Sequence, residues 1–443
     1  MDAKGLRPQT RRGLVVAAPA SGSGKTVVTL ALLRLLRDRG IRVASLKVGP
    51  DFIDPAYHAA ASGRACFNLD LWGMRPATQG AILNEAAREA DLVVAEGVMG
   101  LFDGAADGSG STADAAAWTG WPVVLVVDVR GQGASAGALV RGFRDHRLDI
   151  SVAGVLFNRV ASTAHQAILE REMVGLGVPV LGYLPRDPAL TLESRHLGLH
   201  QASEKADIEG WIARAAALVA QHIDSEHLCA FAWPAEARTE GATLDLPRLG
   251  RTIAVARDAA FTFLYPHLLG AWERVGATLR FFSPLADEVP PAEADAIYLP
   301  GGYPELHAAR LAASGRFKAA LHDAAQRQVT IYGECGGFMT LGRTLTNKDG
   351  IKHEMVGLLP LDSSFAAPRL RLGYRKLSLA ADCALGTRGT AFRAHEFHYA
   401  AATPESFSDP LFEAADSAGR QLAPMGCRVG SVAGSFAHLL DKA

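Results

Sequence analysis

The run Leu14-Val15-Val16-Ala17-Ala18, followed by Pro19-Ala20-Ser21-Gly22-Ser23-Gly24-Lys25-Thr26, restricts the fold more than any other feature of the chain. A continuously apolar run reads as a strand buried on both faces. A helical pattern over Thr26–Arg39 follows it and is stopped by Gly40. Strand, glycine-rich turn and helix in that order are the setting of a phosphate-binding loop. Gly22 and Gly24 let the backbone N–H groups around Ser23 close on phosphate oxygens with no Cβ in the way. Lys25 would neutralise the outer phosphates, the Thr26 hydroxyl would ligate Mg²⁺, and the helix N-terminus adds a positive dipole end. The usual leading glycine is Pro19 here. The bland alternative, a Gly/Ser-rich turn with a chance lysine, fits the flanking strand and helix less well.

Such a loop belongs to a doubly wound parallel sheet. The first half has the matching βαβ rhythm, with strands predicted at Val43–Lys47, Leu92–Ala95, Val123–Val127, Val152–Phe157 and Val180–Tyr183. From about Ser225 to Leu249 the pattern breaks into Pro, Ala, Glu and Arg without a period. A second βα series starts at Thr252–Ala256 and continues through Leu279–Phe282, Ala296–Leu299 and Val329–Tyr332, and Met355 to Val432 is richer in strands. The expectation is an α/β protein with a phosphate-binding domain over 1–224, a linker over 225–250 and a second α/β domain over 251–443. A length of 443 residues suits two or three domains.

A net charge of −1 with no strongly basic stretch argues against nucleic acid as a partner. No apolar run is long enough to span a bilayer, and the polar, basic Met1–Gly13 lacks the apolar core of a secretory signal. The five unevenly spaced cysteines form neither a disulfide framework nor a metal pair, so a reducing cytoplasm is the expected setting.

Carboxylates cluster where strands end. In a doubly wound sheet these ends face the ligand crevice. Lys47 and the following Gly49-Pro50-Asp51-Phe52-Ile53-Asp54-Pro55 place Lys47, Asp51 and Asp54 near the phosphates or the acceptor, with Asp51 also a candidate Mg²⁺ ligand. Glu96 ends its strand where an acid holds Mg²⁺ or its water, and Asp103 lies on the loop beyond. Helix caps and turns are the competing roles for these aspartates. Asp128 also ends an apolar strand and divides evenly between the two readings.

Val329–Tyr332 runs into Gly333-Glu334-Cys335-Gly336-Gly337 ahead of a helical pattern. A nucleophile between small residues on a sharp strand-to-helix turn is an elbow. The helix N-terminus is expected to lower the thiol pKa. The Gly336 N–H would stabilise an oxyanion, with Gly301-Gly302 as a second donor site. A thioester intermediate would follow. Cys66, Cys229, Cys383 and Cys427 read as inert. The base is His395 or His438, with His438 preferred because it follows a strand-like run near the chain end.

The phosphate-binding loop, Lys47–Pro55, Glu96-Gly97-Val98-Met99-Gly100-Leu101-Phe102-Asp103-Gly104 and Arg195-His196-Leu197-Gly198-Leu199 resemble the cobyrinic/hydrogenobyrinic acid a,c-diamide synthase family. The second half resembles its class I glutamine amidotransferase domain, and the likeness covers nearly the whole chain. It implies a dethiobiotin synthetase-like first domain that binds ATP and Mg²⁺ and phosphorylates a substrate carboxylate. It implies a second domain that hydrolyses glutamine through Cys335 and His438, the ammonia then displacing phosphate. Asn158 matches the position where relatives contact the adenine, with a structural turn as the alternative. The partners implied are a corrinoid polycarboxylate, L-glutamine and ATP, with no nucleic acid and no membrane, and a homodimer is one assembly open to the chain. Many class I domains carry a glutamate two residues after the catalytic histidine; here that residue is Leu440, in keeping with a Cys–His dyad. Arg369, Arg371 and Arg375 would suit substrate carboxylates, although a solvated basic strand is the plainer reading. Rival readings are cobyric acid synthase, nickel-sirohydrochlorin a,c-diamide synthase and, from another class, a partition ATPase of the ParA/MinD kind. The last carries an extra lysine in the loop where this chain has Ala20.

Overall fold

The computed structural model describes residues 11–192, 194–195, 198–199, 201–237, 239–404 and 407–443. His196 and Leu197 of the motif after Ser194 lie outside the described residues. The chain forms two compact units: one takes it to Trp72 and from Pro76 to Thr243, the other takes Gly73–Arg75 and Leu244–Ala443.

In the first unit seven parallel strands run β1 (Arg12–Ala17), β2 (Val43–Val48), β3 (Phe67–Leu69), β4 (Leu92–Glu96), β5 (Val123–Asp128), β6 (Val152–Val160) and β7 (Val180–Pro185). Their order in the sheet is β3-β2-β4-β1-β5-β6-β7. Leu14–Ala17 and Val123–Val127 are fully buried, as parallel strands covered on both faces must be. Each such Val or Leu contributes about 1.5–3 kcal/mol on leaving water. Helix α1 (Lys25–Asp38) follows β1 and buries Val28, Leu32, Leu35 and Leu36 on one side. Helix α2 (Asp54–Ser62) follows β2.

The segment expected as a linker is structured at its start. A short helix, Ser225–Ala230, is capped by Asp224, and Trp233–Pro234 pairs antiparallel with β1. The two units part between Thr243 and Leu244, inside that segment.

The second unit is built on a six-stranded sheet ordered Thr278–Phe282, Thr252–Ala256, Ala296–Leu299, Thr330–Glu334, Val432–Ser435 and Cys427–Val429, parallel except for the last strand. Two four-stranded sheets complete it. One is antiparallel and ordered Phe412–Asp416, Arg371–Leu379, Ala391–His398 and Ala437–Lys442. No helix of the described residues is long and apolar enough to cross a membrane.

Candidate active sites

Register alone assembles the first site. Glu96, the last residue of β4, pairs with Val16 on one side and Lys47 on the other, so the loop after β1 opens beside both charges. Gly22 and Gly24 take positive φ values of 81° and 89°. A Cβ on Gly22 would meet nothing, whereas one on Gly24 would lie 2.2 Å from Asn158 Nδ2.

Glu96 is fully buried and gathers four partners. Its Oε1 accepts from Thr26 Oγ1 at 2.7 Å, Lys25 Nζ at 2.9 Å and Lys47 Nζ at 3.0 Å; its Oε2 lies 2.6 Å from His58 Nε2. Lys47 also donates to Asp54 Oδ2 at 2.5 Å. Burial works against the Glu96 charge, but Lys25, Lys47 and His58 hold the carboxylate well below its ordinary range. Burial likewise opposes the Lys47 charge, and Asp54 and Glu96 outweigh it, so Lys47 stays protonated. Lys25 is lowered, by burial first and by Lys47 next.

The other residues expected here divide. Asp51 Oδ1 accepts from the amides of Ile53 and Asp54 at 2.8 and 3.0 Å, the work of a cap at the start of α2. Asp103 Oδ2 accepts from Gly100 N at 2.8 Å and fixes its own loop. Asn158 donates to Ser23 O at 2.8 Å, so its amide holds the phosphate-binding loop. Asp128 pairs with Arg130 and Arg159. His58 was not legible as part of this cluster; α2 carries it in, and only its spacing from Asp54 would have hinted at it. A cleft of about 430 Å³ opens over the loop, bordered by Ser21, Lys25, Thr26, Arg159 and Arg186.

Among the described residues no group of three or more His, Cys, Asp and Glu is arranged to hold a metal ion. Mg²⁺ seldom needs one, since it takes one or two protein oxygens and completes its shell with water and phosphate. The Thr26 hydroxyl and the Glu96 carboxylate, side by side at the loop, fit that donor set.

Three neighbouring strand ends build the second site. Leu299 pairs with Gly333, and Glu334 with Ser435, so Pro300–Gly302, Cys335 and Phe436–His438 leave the sheet together. Cys335 has φ 47° and ψ −101°, a left-handed backbone that an L-residue rarely adopts. Its N–H donates to Ser435 O at 2.8 Å. A Cβ on Gly336 would lie 2.9 Å from Gly302 N, which puts the two expected oxyanion donors next to each other. A Cβ on Gly301 would lie 2.5 Å from His438 Cε1 and 3.3 Å from Nε2, so His438 faces the same backbone. His395 is its register partner on the next strand, with Tyr374 and Phe397 packed on its ring.

The expected low thiol pKa is not what the surroundings produce. Burial pushes the Cys335 thiol well up, Glu305 and Glu334 add to this, and the Gly336 N–H opposes it. The helix after Cys335 has only six residues, too short for its dipole to offset full burial. Burial also lowers His438 to about 3, with His395 and His398 contributing. The resting pair is therefore a neutral thiol and a neutral imidazole. Nearby, Arg375 donates to Glu396 Oε2 at 2.8 Å, and His398 Nε2 lies 3.0 Å from Glu396 Oε1. Arg375 is thus neutralised inside the unit, while Arg369 and Arg371 are exposed.

Residues 14–199 match the CobQ/CobB/MinD/ParA nucleotide binding domain, and residues 252–443 match the CobB/CobQ-like glutamine amidotransferase domain. The hydrogenobyrinate a,c-diamide synthase of Brucella suis biovar 1 (strain 1330) is 54% identical over 437 residues, covering 97% of this chain and 98% of that protein. Proteins of the same name from Rhizobium meliloti (strain 1021) and Rhodobacter capsulatus are each 50% identical across 97% of the chain, and 99% and 98% of those proteins are covered. With a nucleotide-binding domain and a glutamine amidotransferase domain in one polypeptide, and half its residues shared with these proteins from end to end, the chain belongs to the hydrogenobyrinate a,c-diamide synthase family.

Proposed function

We propose that this chain is an ATP- and glutamine-dependent ligase that amidates the a and c acetate carboxylates of hydrogenobyrinic acid. The observation that carries the reading is the end-to-end identity with three proteins of that activity by name, joined to a lysine–carboxylate cluster in one unit and a cysteine elbow in the other.

A carboxylate resists ammonia, and activation supplies the leaving group. In the first unit Lys25 and the loop amides hold the ATP phosphates, and Lys47 stands where it neutralises oxygen charge on the transferring phosphoryl group. An acetate oxygen of the substrate attacks the γ-phosphorus, the bond to the ADP oxygen breaks, and an acyl phosphate results. Thr26 and Glu96 are the residues that would hold Mg²⁺, which when bound offsets phosphate charge. Asp54 keeps Lys47 in place.

In the second unit the Cys335 thiol proton passes to His438 and the sulfur attacks the glutamine amide carbon. The oxyanion formed lies against the Gly302 and Gly336 amides. The C–N bond breaks, His438 returns the proton to the departing ammonia, and water hydrolyses the thioester to glutamate and thiol. Ammonia then attacks the acyl phosphate carbon, phosphate leaves, and the amide remains. A second round on the other acetate completes the a,c-diamide. The five free cysteines suit a reducing cytoplasm.

The test supplies glutamine, ATP and Mg²⁺ with metal-free and cobalt-containing acid side by side and reads the products by mass. Two hydroxyl-to-amino exchanges on the metal-free acid are expected. No nucleotide consumption with either acid, even with free ammonia present, overturns the reading.

A further inference from the structure

Glu334 ends the strand that delivers Cys335, and it is 1% exposed. A carboxyl is expensive to bury without partners, so its surroundings are informative. Its Oε2 accepts from the Tyr298 hydroxyl at 2.8 Å, and its Oε1 accepts from the Leu439 amide at 3.3 Å. Tyr298 is itself held fast, edge-on to Trp272 at 5.2 Å and stacked on Tyr332 at 6.1 Å between ring centres. The same Glu334 Oε2 lies 3.9 Å from His438 Nδ1.

The Cε1–Nε2 edge of that imidazole faces Gly301. The ring is thus set between the Glu334 carboxyl near Nδ1 and the Gly301 backbone against Cε1 and Nε2. Leu440, where the usual acid would follow the histidine, is buried, and its carbonyl lies 3.0 Å from His267 Nε2. The residue two places after the histidine therefore cannot orient it. The residue before the nucleophile can.

We propose that Glu334 is the positioning residue of His438: its carboxylate faces Nδ1, keeps Nε2 toward Cys335, and receives the Nδ1–H hydrogen bond once the imidazole becomes positive. This rests on the reading of Cys335 and His438 as nucleophile and base. The balance is simple. The S–H bond breaks, an Nε2–H bond forms, and the new positive charge on the ring is met by the negative charge on Glu334. A gap of 3.9 Å is too long for a hydrogen bond at rest, and a small ring shift closes it.

The titratable groups around Glu334 are Tyr298 and Tyr332 on the strand side, and His438 with His395 and His398 on the antiparallel sheet. Glu396 with Arg375 lies beyond, and Cys335 and Glu305 lie across the elbow. Among them burial raises the Glu334 carboxyl to about 7, which puts its loss of a proton inside an ordinary pH profile.

The experiment is steady-state glutaminase kinetics of the full chain from about pH 5.5 to 9 with Cys335→Ala alongside. Glu334→Gln is expected to lower kcat at least about tenfold, to leave KM for glutamine within about twofold, and to remove the pH limb near neutrality. Glu334→Asp restores part of kcat. An unchanged kcat and pH profile in Glu334→Gln, with Cys335→Ala inactive, overturns the role of Glu334 alone. Activity surviving in Cys335→Ala overturns the underlying reading of the nucleophile. If Glu334→Gln has no thermal unfolding transition, Tyr298→Phe is read instead, since it removes the hydroxyl that pins the carboxylate. A shifted pH limb in that variant supports the proposal, and an unmoved one overturns it.

Discussion

Lys47 is 1% exposed, and its ammonium has two carboxylates, Asp54 and Glu96, within 3.0 Å. Replacing it by methionine keeps the volume and leaves both acids facing a neutral side chain. Breaking a buried pair in this way costs about 3–5 kcal/mol. Lys47→Met is therefore expected to lower the urea midpoint of the full chain and to abolish ATP-dependent amidation. The pH dependence has a definite sign. Glu96 is held well below the ordinary glutamate range, so its contribution is present at neutral pH and is lost as pH falls through its folded value. The stability gap between wild type and Lys47→Met should accordingly hold from neutral pH down to about 4.5 and narrow only below it, and a gap that stays constant below that pH would show that the pair is not the source. Asp51 and Asp103 belong to a different class of residue. Asp51 accepts two backbone amides of its own turn and Asp103 accepts one.

The elbow is an element whose glycines are packed, not merely permissive. A Cβ on Gly337 would lie 1.9 Å from Leu299 O, and one on Gly302 would lie 2.0 Å from Ala260 O. The Leu299 carbonyl belongs to a sheet strand and has no room to retreat. Gly337→Ala should displace the turn and Cys335 with it, lowering the melting temperature by several degrees and glutaminase activity by at least about tenfold. Normal melting with full activity would mean that the turn tolerates the shift. The glycines around Cys335 were legible as marks of a tight turn, but the contact of Gly337 with Leu299 was not, because that partner is distant in the chain. The same divide runs through the fold. β1 and β5 were readable because they are continuously apolar. Phe67–Leu69 is only three residues long, and helix Ser225–Ala230 is six, too short to display a period. In the sites, Lys25 announced itself in the glycine-rich loop, and Glu96 and Cys335 at strand ends. His58, Tyr298 and Glu334 did not, since their meaning lies in which strand stands next to which.

At the scale of the molecule, the nucleotide-binding match falls in one unit and the glutamine amidotransferase match in the other. Cys335→Ala is expected to lose glutamine-dependent amidation while keeping turnover with added ammonium salt; Lys25→Ala should lose both. Loss of both in Cys335→Ala would mean that the units do not act separately. A last consequence follows from the 1% exposure of Cys335 and the rise in its pKa. Peroxide and soluble electrophiles react with the ionised sulfur, and few molecules carry it at neutral pH. The same enclosure that leaves the sulfur sluggish on its own therefore shields it from chemical damage between turnovers.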